Sequence, residues 1–265
     1  GSRPIRTSRQ LERMNPPAPG TGLPRLHEVT ITTARPEIAV RTFEALFGHA
    51  AEQDSASATF ATGQSLIRVV RRETPRGIDG VTLAVQSIAS QVDALAQAGV
   101  RTEHHDGHII VPREQASGVE VTFVDDYQHP RVLSPSGVAL DHLAIAVRDL
   151  AAGVARWTGI LGIEVSERGP HPLGGITMAR FLLGPQMIEL VSPAPGAESG
   201  TQRRLEERGD GPITLALVPS GLLSARERLR AAGARLVEQP PHTFIHPSDS
   251  GGVLVQLTPR LEHTH

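Results

Sequence analysis

The sequence predicts an α+β chain made of two tandem copies of one unit, and three observations carry that prediction. The first is internal duplication. Leu26 to Gly48 (LHEVTITTARPEIAVRTFEALFG) lies on Leu140 to Gly162 (LDHLAIAVRDLAAGVARWTGILG) without a gap, pairing Glu28 with His142, Phe43 with Trp157 and Gly48 with Gly162. Downstream, Gly80-Val-Thr-Leu-Ala-Val matches Gly211-Pro-Ile-Thr-Leu-Ala-Leu, Leu95 to Arg101 matches Leu229 to Arg235, and Gly118 to Phe123 matches Gly252 to Leu257. The second observation is that strand and helix patterns follow one another in the same order in each copy. The third is length, since 265 residues suit two domains that each bury a core. The boundaries expected are a flexible Arg/Pro-rich tail over 1–23, a first domain over 24–130 and a second over 138–260.

In the second copy, Leu140 to Val147 alternates strictly, with Leu143, Ile145 and Val147 on one face and His142, Ala144 and Ala146 on the other. Asp149 is a good N-cap for the helix that follows and Gly162 suits its end; the first copy has Pro36 at an early helical position. Strands follow at Ile176 to Leu183 and Gln186 to Val191, with Gly184-Pro185 as the turn between them. A second unit runs from a strand at Ile213 to Val218, through a helix near Ser220 to Ala232, to strands near Arg235 to Val237, His242 to His246 and Val253 to Thr258. A strand, a helix and a group of strands are thus read four times along the chain.

Composition narrows the function. A net charge of -2 and a pI near 6.7 speak against nucleic acid as a partner. No apolar run reaches bilayer length and no secretory signal pattern opens the sequence, so the expected location is cytoplasmic, with no membrane partner. The absence of cysteine excludes disulfides and thiolate metal ligands. A small-molecule substrate or ligand remains the expected partner, and a homodimer stays open.

The segments Leu140 to Gly162, Gln186-Met-Ile-Glu-Leu-Val-Ser-Pro193 and Phe244 to Leu257 resemble the vicinal oxygen chelate superfamily, the glyoxalase, bleomycin-resistance and dioxygenase group. The carboxyl half resembles its methylmalonyl-CoA epimerases most. The resemblance implies four βαβββ modules in two tandem glyoxalase-like domains, each an open, cup-shaped mixed sheet with flanking helices. It also implies a divalent metal ion held by residues on the opening and closing strands of the modules. Carried over, those positions are His142, Glu189, Thr214 and Gln256, where the epimerases usually have His, Gln, His and Glu.

Strand alternation independently puts these four residues opposite bulky apolar neighbours and so on one face of the sheet. Thr214 is a poor neutral ligand, which leaves two readings of the donor set. In one, His142, Glu189, Gln256 and water hold a divalent ion. In the other, a metal-free cup has His142 hydrogen-bonded to Glu189. The equivalent positions of the first copy are Glu28, Arg68, Thr82 and Thr122, a degenerate set in which Glu28 and Arg68 would pair or hold an anionic group.

The epimerases use a carboxylate base on the strand after the first helix, where this chain has Met178 and Arg180. Proton abstraction beside a carbonyl would then fall to His142 or Glu189, tuned by partial desolvation, with Arg180 neutralising the developing enolate or a substrate carboxylate. Thr214, Gln256, Met178 and His171 would line the ligand site, His171 from a Gly/Pro-rich segment, Arg168 to Gly175, that could fold over the mouth. His104-His-Asp-Gly-His108 reads as a hairpin turn, not a metal cluster. Trp157 reads as core.

The expected function is an isomerase, epimerase or lyase acting on a small carbonyl compound or acyl thioester through enolate chemistry. A metal-free small-molecule or antibiotic-binding protein is the alternative, and an aromatic content of 3% speaks against it. A ring-cleaving, extradiol-type dioxygenase has the right layout but lacks the second histidine and the carboxylate it needs at Thr214 and Gln256.

Overall fold

The computed structural model describes residues 22–126 and 137–259. The tail expected at 1–23 lies, up to residue 21, outside the described residues. Strand alternation and the internal repeat fold into two eight-stranded mixed sheets, one within 25–125 and one within 139–257. In the first, β1 (Arg25–Thr33), β2 (Glu52–Gln53), β3 (Ser57–Thr62), β4 (Ser65–Arg71), β5 (Gly77–Val85), β6 (Glu103–His105), β7 (His108–Val111) and β8 (Glu120–Asp125) are ordered β2-β3-β4-β1-β5-β8-β7-β6.

The second sheet repeats the order. Its strands are β9 (Ala139–Ala146), β10 (Glu167–Pro170), β11 (Ile176–Leu183), β12 (Gln186–Pro193), β13 (Gly211–Val218), β14 (Leu236–Gln239), β15 (His242–Ile245) and β16 (Leu254–Leu257), arranged β10-β11-β12-β9-β13-β16-β15-β14. Opening and closing strands of each module pair in parallel, as in β9 with β12 and β13 with β16, while β9 and β13 meet antiparallel at the centre. This is the four-unit α+β arrangement that the repeat predicts, in the two cups that the family resemblance implies.

Among the described residues, five helices cover the sheets: α1 (Pro36–Phe47), α2 (Ile88–Gln97), α3 (Leu150–Leu161), α4 (Gly200–Arg208) and α5 (Leu222–Ala231). The expected caps form. Asp149 accepts hydrogen bonds from the Ala151 and Ala152 amides at 2.8 and 3.0 Å, and Gly162 ends α3 in the left-handed region at φ 67°. Asp106 and Gly107 both have positive φ, so the histidines of this segment flank a tight hairpin turn as the sequence suggests. The sequence gives little sign of α4, because Gly200-Thr-Gln-Arg-Arg-Leu-Glu-Glu-Arg208 buries only Thr201 and Leu205.

The apolar face of each sheet packs under its helices. Phe43 and Trp157, the paired residues of the repeat, are both fully buried. Phe43, Phe47 and Phe60 form a ring cluster with centroids 5.7 to 6.0 Å apart. One apolar cluster runs through both halves. Polar ties join them too: Gln186 Nε2 donates to Ser65 Oγ at 2.6 Å and Trp157 Nε1 to Ser117 Oγ at 3.3 Å. Among the described residues, no helix is long and apolar enough to cross a membrane.

Candidate functional site

The opposite face of the second sheet carries the polar residues. Leu143, Ile145, Ile188, Leu190, Leu215, Val255 and Leu257 are fully buried in the core, and His142, Glu189, Thr214 and Gln256 alternate with them toward the cup. All four line one cavity of about 560 Å³, together with His171. Five of the candidate residues thus share one cavity, while Met178 and Arg180 do not line it. A second cavity, of about 1000 Å³, shares His142, His171 and Gln256 with the first and is also lined by Asp141, Arg180 and His242.

A local irregularity aims the key imidazole. β9 pairs with β13 through Ala216↔His142 and then Leu217↔Leu140, so Asp141 is an extra residue, and such a bulge re-aims side chains at the strand. The Asp141 carboxylate reaches His142 Nδ1 at 2.7 Å. With that nitrogen donating to Asp141, Nε2 faces Glu189, 3.9 Å from Oε2. The same register shift occurs in β1 at His27, the residue that the repeat pairs with Asp141.

Glu189 is the most constrained group of the site. The hairpin register places it opposite Arg180, whose Nε donates to Oε1 at 2.7 Å while Nη1 reaches Glu167 at 2.9 Å. Burial raises the Glu189 carboxyl, but the His171 imidazole, the charge at His142 and the Arg180 guanidinium outweigh it and hold the group at about 2. The expectation of a carboxylate tuned toward neutrality is therefore corrected: Glu189 is a fixed anion at neutral pH. The direct hydrogen bond expected between His142 and Glu189 is replaced by the Arg180 pairing.

His171 folds inward from the turn between β10 and β11. Its Nδ1 accepts from the Leu173 amide at 3.1 Å, so Nε2 carries a proton and faces Glu189 Oε2 at 3.6 Å. Met178 has a different place. It packs with Ala146, Val191 and Leu205 beneath α4 and does not line the cavity around His142. Gln256 Nε2 contacts His242 Nδ1 at 3.3 Å and donates to Thr258 Oγ1 at 3.1 Å. Burial, then the neighbouring His142 and His171, push the His242 imidazole down and favour its neutral form.

The donor set does not fit a metal ion as arranged. Among the described residues, no group of three or more His, Asp or Glu side chains is placed to hold one. Glu189 already carries a guanidinium, His171 presents N–H instead of a lone pair, and Thr214 contributes a neutral hydroxyl. In the first sheet, Glu28 accepts from Thr30 at 3.1 Å and Arg68 is exposed.

A model of the glyoxalase-like domain matches residues 140–252. Ethylmalonyl-CoA/methylmalonyl-CoA epimerase of Cereibacter sphaeroides is 36% identical over 128 residues, covering 44% of this chain and 95% of that protein. The chain belongs to the vicinal oxygen chelate superfamily. Its carboxyl half resembles methylmalonyl-CoA epimerase, and the human mitochondrial methylmalonyl-CoA epimerase is 32% identical over 127 residues, covering 44% of this chain and 72% of its own. A variant of 4-hydroxymandelate synthase from Streptomyces coelicolor shares the superfamily's two-unit fold, with a TM-score of 0.68 over 90% of this chain and 93% of that one at 13% identity.

Sequence reasoning missed Asp141 and His242 in the site and Arg76, Arg204 and Arg208 at its rim. The Arg180–Glu189 pair had a signal. A two-residue turn at Gly184-Pro185 sets Leu183 opposite Gln186, and counting back puts Arg180 opposite Glu189.

Proposed function

We propose that the carboxyl-half cup is an epimerase or isomerase site that removes the proton beside the carbonyl of a 2-substituted acyl thioester, with His142 as the base. The observation that carries this reading is the Asp141–His142 pair: an imidazole held at Nδ1 by a carboxylate at 2.7 Å, on the wall of a cavity of about 560 Å³. A general base needs a fixed tautomer and a free lone pair within reach of the substrate. Met178 lies in a small apolar cluster and Arg180 is bound to Glu189, so neither supplies a base.

His142 Nε2 takes the proton and becomes a cation flanked by the carboxylates of Asp141 and Glu189. Electrons from the broken C–H bond pass to the carbonyl oxygen as an enolate. The Thr214 hydroxyl, on the wall of the same cavity, is the donor for that oxygen. Arg180 acts through Glu189, fixing the anion that faces both imidazoles. Protonation of the opposite face by a water proton, with His142 passing its own proton to solvent, gives the epimer. The likeness to ethylmalonyl-CoA/methylmalonyl-CoA epimerase supports a 2-alkylmalonyl thioester as substrate.

A panel of 2-substituted acyl-CoA thioesters incubated with the protein in deuterium oxide tests the reading. Deuterium at carbon 2 of at least one 2-alkylmalonyl thioester is expected; incorporation into none of the panel refutes it.

A further inference from the structure

Beside the cup, the two halves enclose a third cavity, of about 830 Å³. Its wall carries Arg76 and Arg113 from the first half, Arg156 on α3, and Arg204 and Arg208 on α4, against two carboxylates, Glu114 and Asp210. Five guanidiniums in one cleft contrast with a chain whose net charge is -2. Such local excess focuses a positive potential on whatever enters.

The arginines are unevenly occupied. Arg113 pairs with Asp79 at 2.9 Å and Glu120 at 3.5 Å, and Arg76 approaches the same Asp79 at 3.7 Å. Arg156 donates to the neutral Ser117 Oγ at 3.1 Å and Arg204 to the Gly209 carbonyl at 3.0 Å. Among the described residues, Arg156, Arg204 and Arg208 form no salt bridge, although Glu207 on the same helix offsets part of the repulsion at Arg204. Arg204 and Arg208 lie one helical turn apart on α4, and burial together with Arg208 lowers the Arg204 guanidinium below its ordinary value. Unpaired, mutually repelling guanidiniums in a recess are a receptor for an anion with several oxygens.

The cleft is continuous with the cup. Arg76, Ile78, Arg204, Arg208 and Pro212 line both cavities. The backbone closes around it: a Cβ on Gly118, at φ 82°, would meet the Asp210 carbonyl oxygen at 2.2 Å, so the halves meet there at a distance only glycine allows. A ligand with its carbonyl end at His142 therefore has a direct path to the arginines.

We infer that this arginine cleft binds the phosphate groups of the substrate's nucleotide tail, and that the amino half, through Arg76 and Arg113, is part of the substrate site. The inference rests on the acyl thioester reading of the cup and deepens it, giving the degenerate half a binding role. Pyrophosphate oxygens match the paired N–H groups of Arg204 and Arg208, and Arg156 completes the cradle from α3.

Calorimetric titration of the full chain with coenzyme A, inorganic pyrophosphate and phosphate-free pantetheine tests it without any need for turnover. Coenzyme A should bind, pyrophosphate should compete with it, and Arg204→Gln with Arg208→Gln should weaken coenzyme A at least about tenfold, the loss of one or two charge-assisted hydrogen bonds. Arg156→Gln, on a different helix, should weaken it in the same direction and guards against a local effect on α4. Coenzyme A binding that the arginine changes leave intact overturns the inference, as does absence of coenzyme A binding to the unaltered protein. Pyrophosphate binding alone, with no affinity for coenzyme A, assigns the cleft to a free phosphate compound and also overturns it. Arginine-dependent coenzyme A binding without carbon-2 exchange would uphold the cleft and sink the proposed reaction.

Discussion

Replacing Glu189 by glutamine should cost the protein stability in a pH-dependent way. The group is 2% exposed, accepts from Arg180 at 2.7 Å and is held at about 2, against 4.5 for an unperturbed carboxyl. Each unit of displacement is worth about 1.4 kcal/mol, so ionised Glu189 contributes on the order of 3 kcal/mol at pH 7. Because the folded value is depressed, that stability is fully present above about pH 4.5 and is lost as the pH falls toward 2. Glu189→Gln keeps the shape and removes the charge, leaving Arg180 with only its Glu167 partner. Chemical denaturation at pH 7 should show a deficit of roughly 3 kcal/mol, or roughly 6–12 °C in Tm, that narrows to about 1 kcal/mol at pH 3. Equal stability at pH 7, or a deficit that does not change with acid, would refute the assignment of Glu189 as a structural anion.

Other consequences are testable independently. Asp141→Asn should lower kcat for carbon-2 exchange while leaving thioester affinity nearly unchanged, because the carboxylate fixes the His142 tautomer and does not line the smaller cavity; a change confined to KM would contradict this. Asp149→Ala should destabilise the fold by about 1 kcal/mol through loss of the α3 N-cap, read by denaturant midpoint, with no effect on ligand binding. Thr214→His supplies an imidazole on the same cavity wall as His142, so the variant should bind cobalt more tightly than the parent, with visible d–d absorption. Stoichiometric cobalt on the unaltered protein would show that the donor set fits a metal after all.

The sheets were legible because buried strands impose their period on the sequence. Leu143, Ile145 and Val147 mark one face and His142 the other, and the duplication doubles that signal at Leu26 to Gly48. Caps and turns followed from single residues, Asp149, Gly162 and Asp106-Gly107 among them. The helix α4 was hidden by its position across the sheet, which buries two of its residues and leaves Arg204 and Arg208 looking like an ordinary solvated face. His171 is expected at the ligand site from its Gly/Pro-rich segment, but its approach to Glu189 depends on a three-dimensional turn with no local sequence code. Asp141 was invisible for another reason. Strict alternation points it away from His142, and only the bulge against Ala216 and Leu217 brings them together.

Carbon-2 exchange on a 2-alkylmalonyl-CoA thioester in deuterium oxide, by the unaltered protein and by His142→Ala with and without added imidazole, tests the central claim most directly. The account predicts exchange by the unaltered protein, a loss of about 10²–10⁴-fold in the variant, and partial recovery when imidazole is supplied. Exchange by His142→Ala at the parental rate would contradict it and place the base elsewhere in the cup.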